Sequence, residues 1–513
     1  MSGTAYFAVS KNIALLKHIV LFGAGKSSTF LIEYLVEQLP IYNWKLTVLD
    51  ANRHAAQLKI GNVENAAAVE LHAENEEKRN EYIRSADIVI SLLPPSLHYH
   101  IALACIEFNK NLLTASYVDK NMEGMRDRIN EKKLLFLCEM GLDPGIDHMS
   151  AMQIIHKLQN ENAIITSFRS HCGGLVSSES DDNPWRHKIS WNPRNIVLAG
   201  KPAAQYRENN YEKVLLYEEL FNPARVVNIP GLGELAWYPN RDSLAYIDIY
   251  KVNSAHNFVR TTLRYPEFCF GWKNLVQLKL TDETPEYDTD GMSLRTFFQL
   301  HLHRHGFSEW VEKQLTARFL QTKKLLEKLQ QLLNAEEEVD EEQMKELRDF
   351  MMVDNSGELM DVNLEELKTT AAATVAGQMH EANLSMKQLL YLGMDDDITF
   401  INQGRSSAAD VLKFAIENKL SLKPEDKDMV VMFHEIEYEQ SNQHHYINST
   451  FFMKGENGVR TAMAKAVGLP LAIAAKLILL GKIKVTGLHI PVIPEIYEPV
   501  MHELKEFGIL FES

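Results

Sequence analysis

The stretch "HIVLFGAGKSSTFLIEYL" (residues 18–35) joins an apolar run to a glycine turn and then to a helix-like segment. Gly23 and Gly25 stand where a dinucleotide-binding turn needs a tight bend and a close approach of the backbone to a pyrophosphate. Ser28 takes the place of a third glycine that lets the helix pack on the strand, and serine is small enough to be tolerated there. Many βα turns carry two glycines for geometric reasons alone, so the surrounding sequence has to decide.

The first 150 residues repeat this rhythm. Apolar runs rich in β-branched residues alternate with longer helix-like segments such as 26–38 and 96–109. Parallel strands joined by crossover helices have this pattern, because both faces of such a sheet are buried. We therefore predict an α/β fold with a Rossmann-type doubly wound parallel sheet, whose strands include residues 18–22, 45–49, 86–92, 111–116 and 134–139.

The rest of the chain predicts a mixed α/β domain and a helical insertion. Alternating patterns predict strands in "KVLLYEEL" (213–220), "FVRTTLRY" (258–265), "MVVMFHEIEYE" (429–439) and "HHYINSTFFM" (444–453). Residues 286–424 have helical periodicity, with one apolar face formed by Leu325, Leu329, Leu332 and Leu333. The acidic run "NAEEEVDEEQMKEL" (334–347) is typical of a solvated helix face. The stretch "AVGLPLAIAAKLILL" (466–480) is short for a membrane span and predicts a buried helix.

The composition is that of a globular protein with two or three domains, since the 513 residues are 45% hydrophobic and 24% charged. A formal charge of −16 opposes general binding to nucleic acid or to an anionic membrane. The four widely spaced cysteines form no CxxC pair, so we expect a reducing compartment, the cytoplasm. Residues 1–17 lack a signal-peptide pattern and indicate a short leader or a misassigned start.

Asp50 ends the second predicted strand, where an acidic residue binds ribose hydroxyls and repels a 2′-phosphate. This position favours NAD, whereas Arg53 could hold a 2′-phosphate and leaves NADP open. Alternatively, Asp50 only closes the strand. The predicted cofactor-binding residues are Gly23, Ala24, Gly25, Ser27, Ser28, Asp50, Asn52, Arg53, Leu92, Leu93 and Ala115.

Longer motifs add a family resemblance. They are "SLLPPSLHYHIA" (91–102), "TASYVD" (114–119), "GLDPGIDHM" (141–149), "HCGGL" (171–175), "SDDNPWRHKISWNPRNIVLAG" (180–200), "NRDS" (240–243), "TLRYP" (262–266) and "TAMAKAVGLPLAIAAKLIL" (461–479). Together they resemble the glutamate-forming saccharopine dehydrogenases, also called saccharopine reductases, from about residue 18 to residue 513.

The resemblance implies three domains and a reaction. A Rossmann domain over 1–143 is completed by about 465–513, a substrate and dimerisation domain covers 144–285 and about 425–464, and a helical domain covers 286–424. The implied enzyme interconverts saccharopine with L-glutamate and 2-aminoadipate 6-semialdehyde in lysine metabolism. Hydride leaves the carbon beside the secondary amine, water adds to the imine, and the carbinolamine collapses. A nicotinamide cofactor, no metal and a homodimer are expected.

Saccharopine is tricarboxylic, so its pocket needs cations, preferably arginines that bind carboxylates through two N–H groups. Lys188 and Arg194 are weaker candidates, suggested by charge and position alone and equally compatible with ordinary ion pairs. The substrate-binding residues that the resemblance implies are Ser116, Tyr117, Asp143, Arg241, Thr262, Leu263 and Arg264.

Proton transfer at the amine and at the added water needs a tuned acid or base. Asp143 is the first candidate, and Cys172 is a candidate for an auxiliary hydrogen bond. Without the resemblance, Asp143 would read as a turn or capping residue. Among the alternating histidines of "HLHRHG", only His301 and His305 share a helix face, so we expect no metal site.

Two other functions stay open at this point. One is reduction of a different imine, as in the carboxynorspermidine synthases of the same superfamily. The other is a cofactor-binding regulatory protein without catalysis, which would use the helical insertion as an interaction surface.

Overall fold

The computed structural model describes residues 16–307, residue 381, residues 383–512 and two short strands between them. Strands and helices are numbered along the chain. The predictions for Leu325, Leu329, Leu332, Leu333 and the acidic run lie outside the described residues.

The first sheet has seven parallel strands in the order β19-β6-β5-β4-β1-β2-β3. Its strands are β1 Lys17–Phe22, β2 Trp44–Asp50, β3 Ala66–Glu70, β4 Ile88–Ser91, β5 Asn111–Thr114, β6 Leu135–Leu137 and β19 Gly487–His489. The helices that join them are α1 Thr29–Tyr42, α2 Arg53–Ile60, α3 Glu76–Ser85, α4 Pro95–Glu107, α5 Lys120–Glu123 and α6 Arg126–Glu131. Buried apolar side chains cover both faces, as a doubly wound sheet requires.

The second sheet has eight strands drawn from two separated parts of the chain. Its main path is β10-β11-β12-β7-β17-β18, with β8 joining β12 to β9, and only the β12–β7 pair is parallel. The strands are β7 Ile164–Val176, β8 Ala204–Glu208, β9 Tyr211–Leu215, β10 Val226–Ile229, β11 Gly233–Pro239, β12 Asn257–Arg264, β17 Asp428–Gln440 and β18 Gln443–Lys454. Helix α7, Ile146–Asn160, packs against β7.

The described part of the insertion packs around Trp185 and Trp272, which are both buried. The helices that contribute apolar side chains to this core are α8 Pro193–Val197, α9 Tyr217–Leu220, α11 Pro266–Gln277, α12 Leu294–Arg304 and α13 Ala408–Lys419, with a helical segment at 383–391. Helix α10, Ala245–Tyr250, packs instead in the core that includes α7. Two small sheets pair β13 Pro285–Asp288 with β16 Arg405–Ser407, and β14 Met352–Val353 with β15 Leu359–Met360.

The C-terminal part of the chain returns to the first sheet. Helix α14, Ala462–Leu479, packs against α1, and helix α15, Pro494–Leu504, packs against α14 and α7. A Cβ on Gly468 of α14 would lie 2.9 Å from the backbone nitrogen of Leu31, so glycine permits this close helix contact. Helix α14 is long and apolar enough to cross a membrane, but 78% of it is buried inside the protein, as expected of a core helix.

The predicted fold class is confirmed, with two differences in the strands. The run "KVLLYEEL" does not form one strand, because β9 ends at Leu215 and Tyr217–Leu220 is helical. Strand β3 was not predicted from the sequence, because its alanine-rich segment "AAAVE" has little β-branched character. The domain boundaries given above stay predictions.

Candidate active site

The glycine turn after β1 has the shape of a phosphate cradle. Gly23 has a φ of +101°, and a Cβ there would lie 2.9 Å from the carbonyl oxygen of Leu92. A Cβ on Gly25, by contrast, would meet nothing within 4 Å, so the backbone is open to an approaching group. Thr29 Oγ1, at the start of α1, is buried with no hydrogen-bond partner among the described residues. An open backbone and an unpartnered hydroxyl at a helix N-terminus fit a dinucleotide pyrophosphate.

Asp50 closes this turn. One carboxylate oxygen accepts the backbone N–H of Ala24 at 2.6 Å, and the other accepts that of Asn52 at 2.7 Å. The expectation that Asp50 favours NAD by binding ribose hydroxyls therefore gains no support from the geometry. The Ser28 hydroxyl is likewise used within the turn, where it donates to the carbonyl oxygen of Gly25 at 2.9 Å.

Two cations lie beside the turn. Arg53 is exposed in the first turn of α2, and its Nε donates to the carbonyl oxygen of Ala68 at 3.2 Å. Lys59, on the same helix, donates to the carbonyl oxygen of Gly25 and lies 3.0 Å from Ser28 Oγ. Burial lowers the pKa of Lys59 to about 8, although Asp50 and Glu33 oppose the shift. Lys59 had not been predicted.

The other predicted cofactor contacts lie near the turn at strand ends. Leu92 and Leu93 follow β4, and Ala115 follows β5 and lies against Gly141. At the same sheet edge, the buried ring of His98 joins Ser91 Oγ at 2.9 Å to Ser116 Oγ at 2.8 Å. Burial lowers the pKa of His98 to about 4, so its ring is neutral and orients Ser116.

Asp143 lies in the loop after β6, at the carboxyl edge of the first sheet. The loop bends sharply, with a cis Asp143–Pro144 bond and a Gly145 whose φ is +148°. A Cβ on Gly145 would overlap the carbonyl oxygen of Gly141, so only glycine fits there. Tyr117 donates its hydroxyl to Asp143 Oδ1 at 3.1 Å, which brings two of the predicted residues together.

Arg260, on β12, connects this loop to the second sheet. One of its terminal nitrogens donates to Asp143 at 2.8 Å and to Asp147 at 2.5 Å. Asn240 also lies within 3.4 Å of both Asp143 carboxylate oxygens and 3.3 Å from the Tyr117 hydroxyl. The Asp143 cluster, defined as Tyr117, Asp143, Asp147, Asn240 and Arg260, thus joins both sheets.

The two carboxylates of the Asp143 cluster have opposite electrostatic environments. Burial and the neighbouring carboxylate of Asp147 raise the pKa of Asp143. Burial opposes ionisation of Asp147 too, but His148 and Arg260 outweigh it and lower the pKa of Asp147. The side chain of Asp143 is 12% exposed and that of Asp147 only 2%. Asp143 is therefore the carboxyl group that can exchange a proton, while Asp147 holds Arg260.

A second layer supports the cluster. Glu139 accepts from the Tyr246 hydroxyl at 3.0 Å and contacts His148 Nε2 at 2.8 Å. The other ring nitrogen of His148 lies 2.5 Å from the Tyr250 hydroxyl. These buried contacts fix the start of α7 and hence the position of Asp147.

Strand β12 divides the predicted "TLRYP" residues between two faces. Thr262 and Arg264 share the face of Arg260, and Thr262 is opposite Cys172 on β7. The side chain of Leu263 lies in an apolar cluster on the opposite face, so the predicted Leu263 contact can involve only its main chain. Burial raises the pKa of Cys172 well above its usual range, so Cys172 is a neutral thiol rather than a base.

The two predicted carboxylate-binding arginines are differently placed. Arg264 is 5% exposed, its Nη1 donates to the carbonyl oxygens of Leu263 and Gly174, and it pairs with no carboxylate in the described part of the chain. Arg241 is exposed, with a φ of +47° and its guanidinium 5.0 Å from the centre of the Tyr117 ring. Among the residues that the structure describes, neither arginine pairs with a carboxylate, so each can bind an anionic ligand, Arg264 inside the site and Arg241 at its rim.

The weaker candidates Lys188 and Arg194 form ordinary ion pairs. Lys188 is buried between Asp426 at 2.7 Å and Asp182 at 2.9 Å. Arg194 is half-exposed and pairs with Asp410 at 2.9 Å. Neither residue is left for a substrate. His301 contacts the Tyr287 hydroxyl and the carbonyl oxygen of Leu278, and the described residues contain no cluster suited to a metal ion.

Sequence reasoning missed Arg260, Asp147 and Asn240. A signal for Arg260 was present, since it stands two residues before Thr262 and shares a strand face with Thr262 and Arg264, which had been predicted. Asp147 lies four residues after Asp143, within a motif already singled out.

A separate cleft of about 270 Å³ lies on the opposite face of the second sheet, lined by Arg169, His171, Tyr206, Arg207, Trp237 and Glu435.

A glycine turn that opens a parallel sheet, with a polar cluster at the carboxyl ends of its strands, defines a Rossmann-type dinucleotide-binding fold. Two family models match the chain. "Saccharopine dehydrogenase NADP binding domain" covers residues 19–137, and "Saccharopine dehydrogenase C-terminal domain" covers residues 141–509. The chain belongs to the saccharopine dehydrogenase family.

Relatives agree with this assignment. Alpha-aminoadipic semialdehyde synthase of Arabidopsis thaliana is 31% identical over 88% of this chain and 39% of the relative. The mitochondrial protein of that name from Bos taurus is 31% identical over 99% of this chain and 48% of the relative, so the chain spans less than half the length of these two. The NADP(+)-dependent, L-glutamate-forming saccharopine dehydrogenase of Saccharomyces cerevisiae is 26% identical over 97% of this chain and 99% of the relative. A solved apo structure of saccharopine dehydrogenase (L-Glu forming) from Saccharomyces cerevisiae shares the fold, with a TM-score of 0.73 and 24% identity over 97% of this chain and 99% of that one.

Proposed function

We propose that this chain is an NADP-dependent oxidoreductase that interconverts saccharopine with L-glutamate and 2-aminoadipate 6-semialdehyde. The observation that carries the proposal is the Asp143 cluster, in which a carboxyl group of raised pKa lies at the carboxyl edge of a dinucleotide-binding sheet. The activity in the names of relatives from yeast and other organisms supports it.

The phosphates of the cofactor would lie against the open backbone at Gly25 and the start of α1. Asp50 is engaged with the backbone of the turn, which leaves the adenosine side to Arg53 and the N-terminus of α2. A cation at that position favours the 2′-phosphate of NADP over a free hydroxyl. The NADP-binding family model supports this preference.

The bound nicotinamide would supply the hydride acceptor. The chain's own residues would then manage protons: Asp143 takes the proton that the attacking water loses and returns it to the departing amine nitrogen. Tyr117 and Asn240 orient the Asp143 carboxylate, and Arg260 limits how far its pKa rises. The Cys172 thiol is too weakly acidic to act as the base and is proposed only as an auxiliary hydrogen-bond donor.

The free cations would hold the substrate. Arg264 is buried without a carboxylate partner in the described residues, and Arg241 lies at the rim beside Tyr117. A tricarboxylic substrate can neutralise both and still present its secondary amine to Asp143. This charge match favours an amino-acid-derived imine over other imines.

Two accompanying properties are proposed as well. All four cysteines are buried and free, which suits a reducing compartment such as the cytoplasm. A homodimer is the expected assembly. Cell fractionation tests the first property, and sedimentation of the purified protein tests the second.

The reaction is tested by mixing purified protein with saccharopine and following absorbance of the reduced nicotinamide, with NADP and NAD in parallel. We expect reduction of NADP with stoichiometric release of glutamate. Reduction of NAD alone would mean that Asp50, and not Arg53, determines which cofactor the protein binds. No reduction by folded protein that still binds NADP would favour the carboxynorspermidine synthase type of reaction or a regulatory protein.

A further inference from the structure

A buried histidine, His187, lies close to Arg264. His187 is 2% exposed, and neither its Nδ1 nor its Nε2 contacts a polar group among the described residues. Arg264 Nε is also buried and unpartnered there. Buried polar atoms are seldom left without partners, so three of them in one place indicate that a ligand completes their hydrogen bonds.

The surroundings hold both side chains in place. Both side chains pack against the Phe268 ring, whose centre is 4.7 Å from the centre of the His187 ring and 5.4 Å from the Arg264 guanidinium carbon. Asn183 donates to the carbonyl oxygen of His187 at 3.1 Å. The next residue, Lys188, is fixed by its two buried ion-pair contacts. His187 is therefore a rigid part of the site and does not belong to a flexible loop.

The charges indicate what such a ligand would be. Burial and the nearby Arg264 lower the pKa of His187 to about 3, so the ring is neutral at physiological pH and offers one N–H donor. The guanidinium of Arg264 supplies the positive charge. A donor beside an unpaired buried cation is complementary to a carboxylate.

Arg264 lies near the Asp143 cluster, because it shares strand β12 with Arg260 and is on the same face of that strand. Tyr238 and Cys172 are each close enough to both Arg264 and Asp143 for both charges to affect their pKa values. A molecule whose amine lies at Asp143 can therefore extend a carboxylate toward Arg264.

We propose that His187 is a substrate-binding residue that donates a hydrogen bond to the carboxylate held by Arg264. The proposal rests on the function proposed above and assigns one of the substrate's carboxylates to a specific pair of side chains. Because the pair recognises one end of the substrate, His187 contributes to substrate specificity and does not take part in hydride or proton transfer.

The test compares His187→Phe, which removes the donor, with His187→Gln, which keeps an N–H donor. The matched control is His303→Gln on the exposed face of α12. Turnover is measured toward saccharopine formation with separate KM values for glutamate, semialdehyde and NADPH. We expect His187→Phe to raise the KM of either glutamate or the semialdehyde by about tenfold or more, consistent with loss of a charge-assisted hydrogen bond. The KM of NADPH and kcat should stay within about threefold, and His187→Gln should recover most of the loss.

Equal KM values in His187→Phe and the wild type would overturn the proposal, as would a loss confined to kcat. Calorimetric titration with saccharopine separates this proposal from the reaction itself. If the wild type binds saccharopine without turning it over and His187→Phe binds it about tenfold more weakly, the pocket stands and the proposed reaction fails. If the wild type turns saccharopine over and His187→Phe binds it equally well, the reaction stands and His187 has no role in binding. Circular dichroism verifies folding, and the His187→Gln comparison applies if the phenylalanine variant does not fold.

Discussion

Asp143 and Asp147 share one arginine but are suited to different tasks. Asp147 is almost fully buried and its ionised form is stabilised by Arg260 and His148, whereas Asp143 is partly exposed and its pKa is raised. Neighbouring carboxyl groups whose pKa values are driven apart commonly divide into a proton-transferring group and a charged support.

Replacing Asp143 with Asn keeps the size and most hydrogen bonds but removes the proton acceptor. We expect Asp143→Asn to lower kcat for saccharopine oxidation by about 100-fold or more, the usual size of a general acid–base contribution, while the KM of NADP changes little. In the wild type, activity should fall as pH drops through the raised pKa of Asp143, because the base becomes protonated. This loss of activity at low pH should be absent from the pH profile of any residual activity of Asp143→Asn.

Asp147→Asn is the comparison for that variant. It removes a partner of the buried Arg260, so it should lower the unfolding free energy by about 3 kcal/mol. The fall of activity at low pH should remain in this variant. A kcat for Asp143→Asn equal to that of the wild type would remove Asp143 from the chemistry.

Lys59 gives cofactor binding a pH dependence. Its pKa is lowered to about 8, so the ammonium group beside the glycine turn is lost above that pH. We expect the Kd of NADP to rise between pH 8 and 9 in the wild type, measured by fluorescence titration. Lys59→Arg, which stays charged, should not show this rise. A flat wild-type profile would place Lys59 away from the bound phosphates.

Several site residues could be predicted because their motifs are continuous in sequence. Tyr117, Asp143 and Arg264 are examples, and each lies at a strand end or an adjacent turn. Arg260 and His187 could not be assigned in the same way, because their roles depend on which residues of distant segments face them. The strand face of Arg260 could be predicted from its spacing to Arg264, but its carboxylate partners could not. A histidine in a loop gives neither a face nor a partner.

At the scale of elements, the two glycines of the first turn serve separable purposes. Gly23 has a backbone conformation that other residues adopt at a cost and has no room for a Cβ, while Gly25 has room. We expect Gly23→Ala to lower the unfolding free energy by about 2 kcal/mol. Gly25→Ala should fold with nearly wild-type stability in urea but raise the KM of NADP about tenfold or more, since its methyl group occupies the phosphate approach.

The variants at Gly23 and Gly25 serve as controls for each other, because one is expected to change stability and the other cofactor binding. If Gly25→Ala changed stability instead of cofactor binding, the open space beside Gly25 would be structural and the pyrophosphate would lie elsewhere. Chemical denaturation and cofactor titration of both variants distinguish these results.

Parallel strands were predictable because burial on both faces produces continuous apolar runs, as in β1 and β4. The pairing of β7 with β17 was not, since more than 250 residues separate them and no local pattern encodes a partner. The failure at "KVLLYEEL" has a local cause. Strand β9 is mostly exposed, so burial did not enforce the alternation that the apolar residues suggested.

At the scale of the whole molecule, helix α15 and the residues after it join the two sheets. Leu504 is fully buried in the core shared by α14 and α7, and Phe511 packs against His434 and Phe451 of the second sheet. The backbone of Glu512 also forms two hydrogen bonds with Thr450 on β18.

Two leucine truncations measure this connection. Leu504→Ala should lower the unfolding free energy by about 3 kcal/mol, because it leaves a cavity in the shared core. Leu510→Ala, at a residue that is 53% exposed, should change it by less than about 0.5 kcal/mol. Urea unfolding of the two variants provides the comparison, and equal values would mean that the Leu504 contact is not part of the stabilising core.

The return of α14 to the first sheet also bears on synthesis of the chain. Strand β6 ends at residue 137 and α14 begins at residue 462, so 324 residues are translated between them. At about 5–20 residues per second this interval lasts on the order of 15–60 s. Throughout it, the apolar side of α1 that α14 later covers has no partner from α14. Uncovered apolar surface on a nascent chain is prone to aggregation and to chaperone binding. The domain built on the first sheet is therefore completed only after the two intervening parts of the chain have been translated.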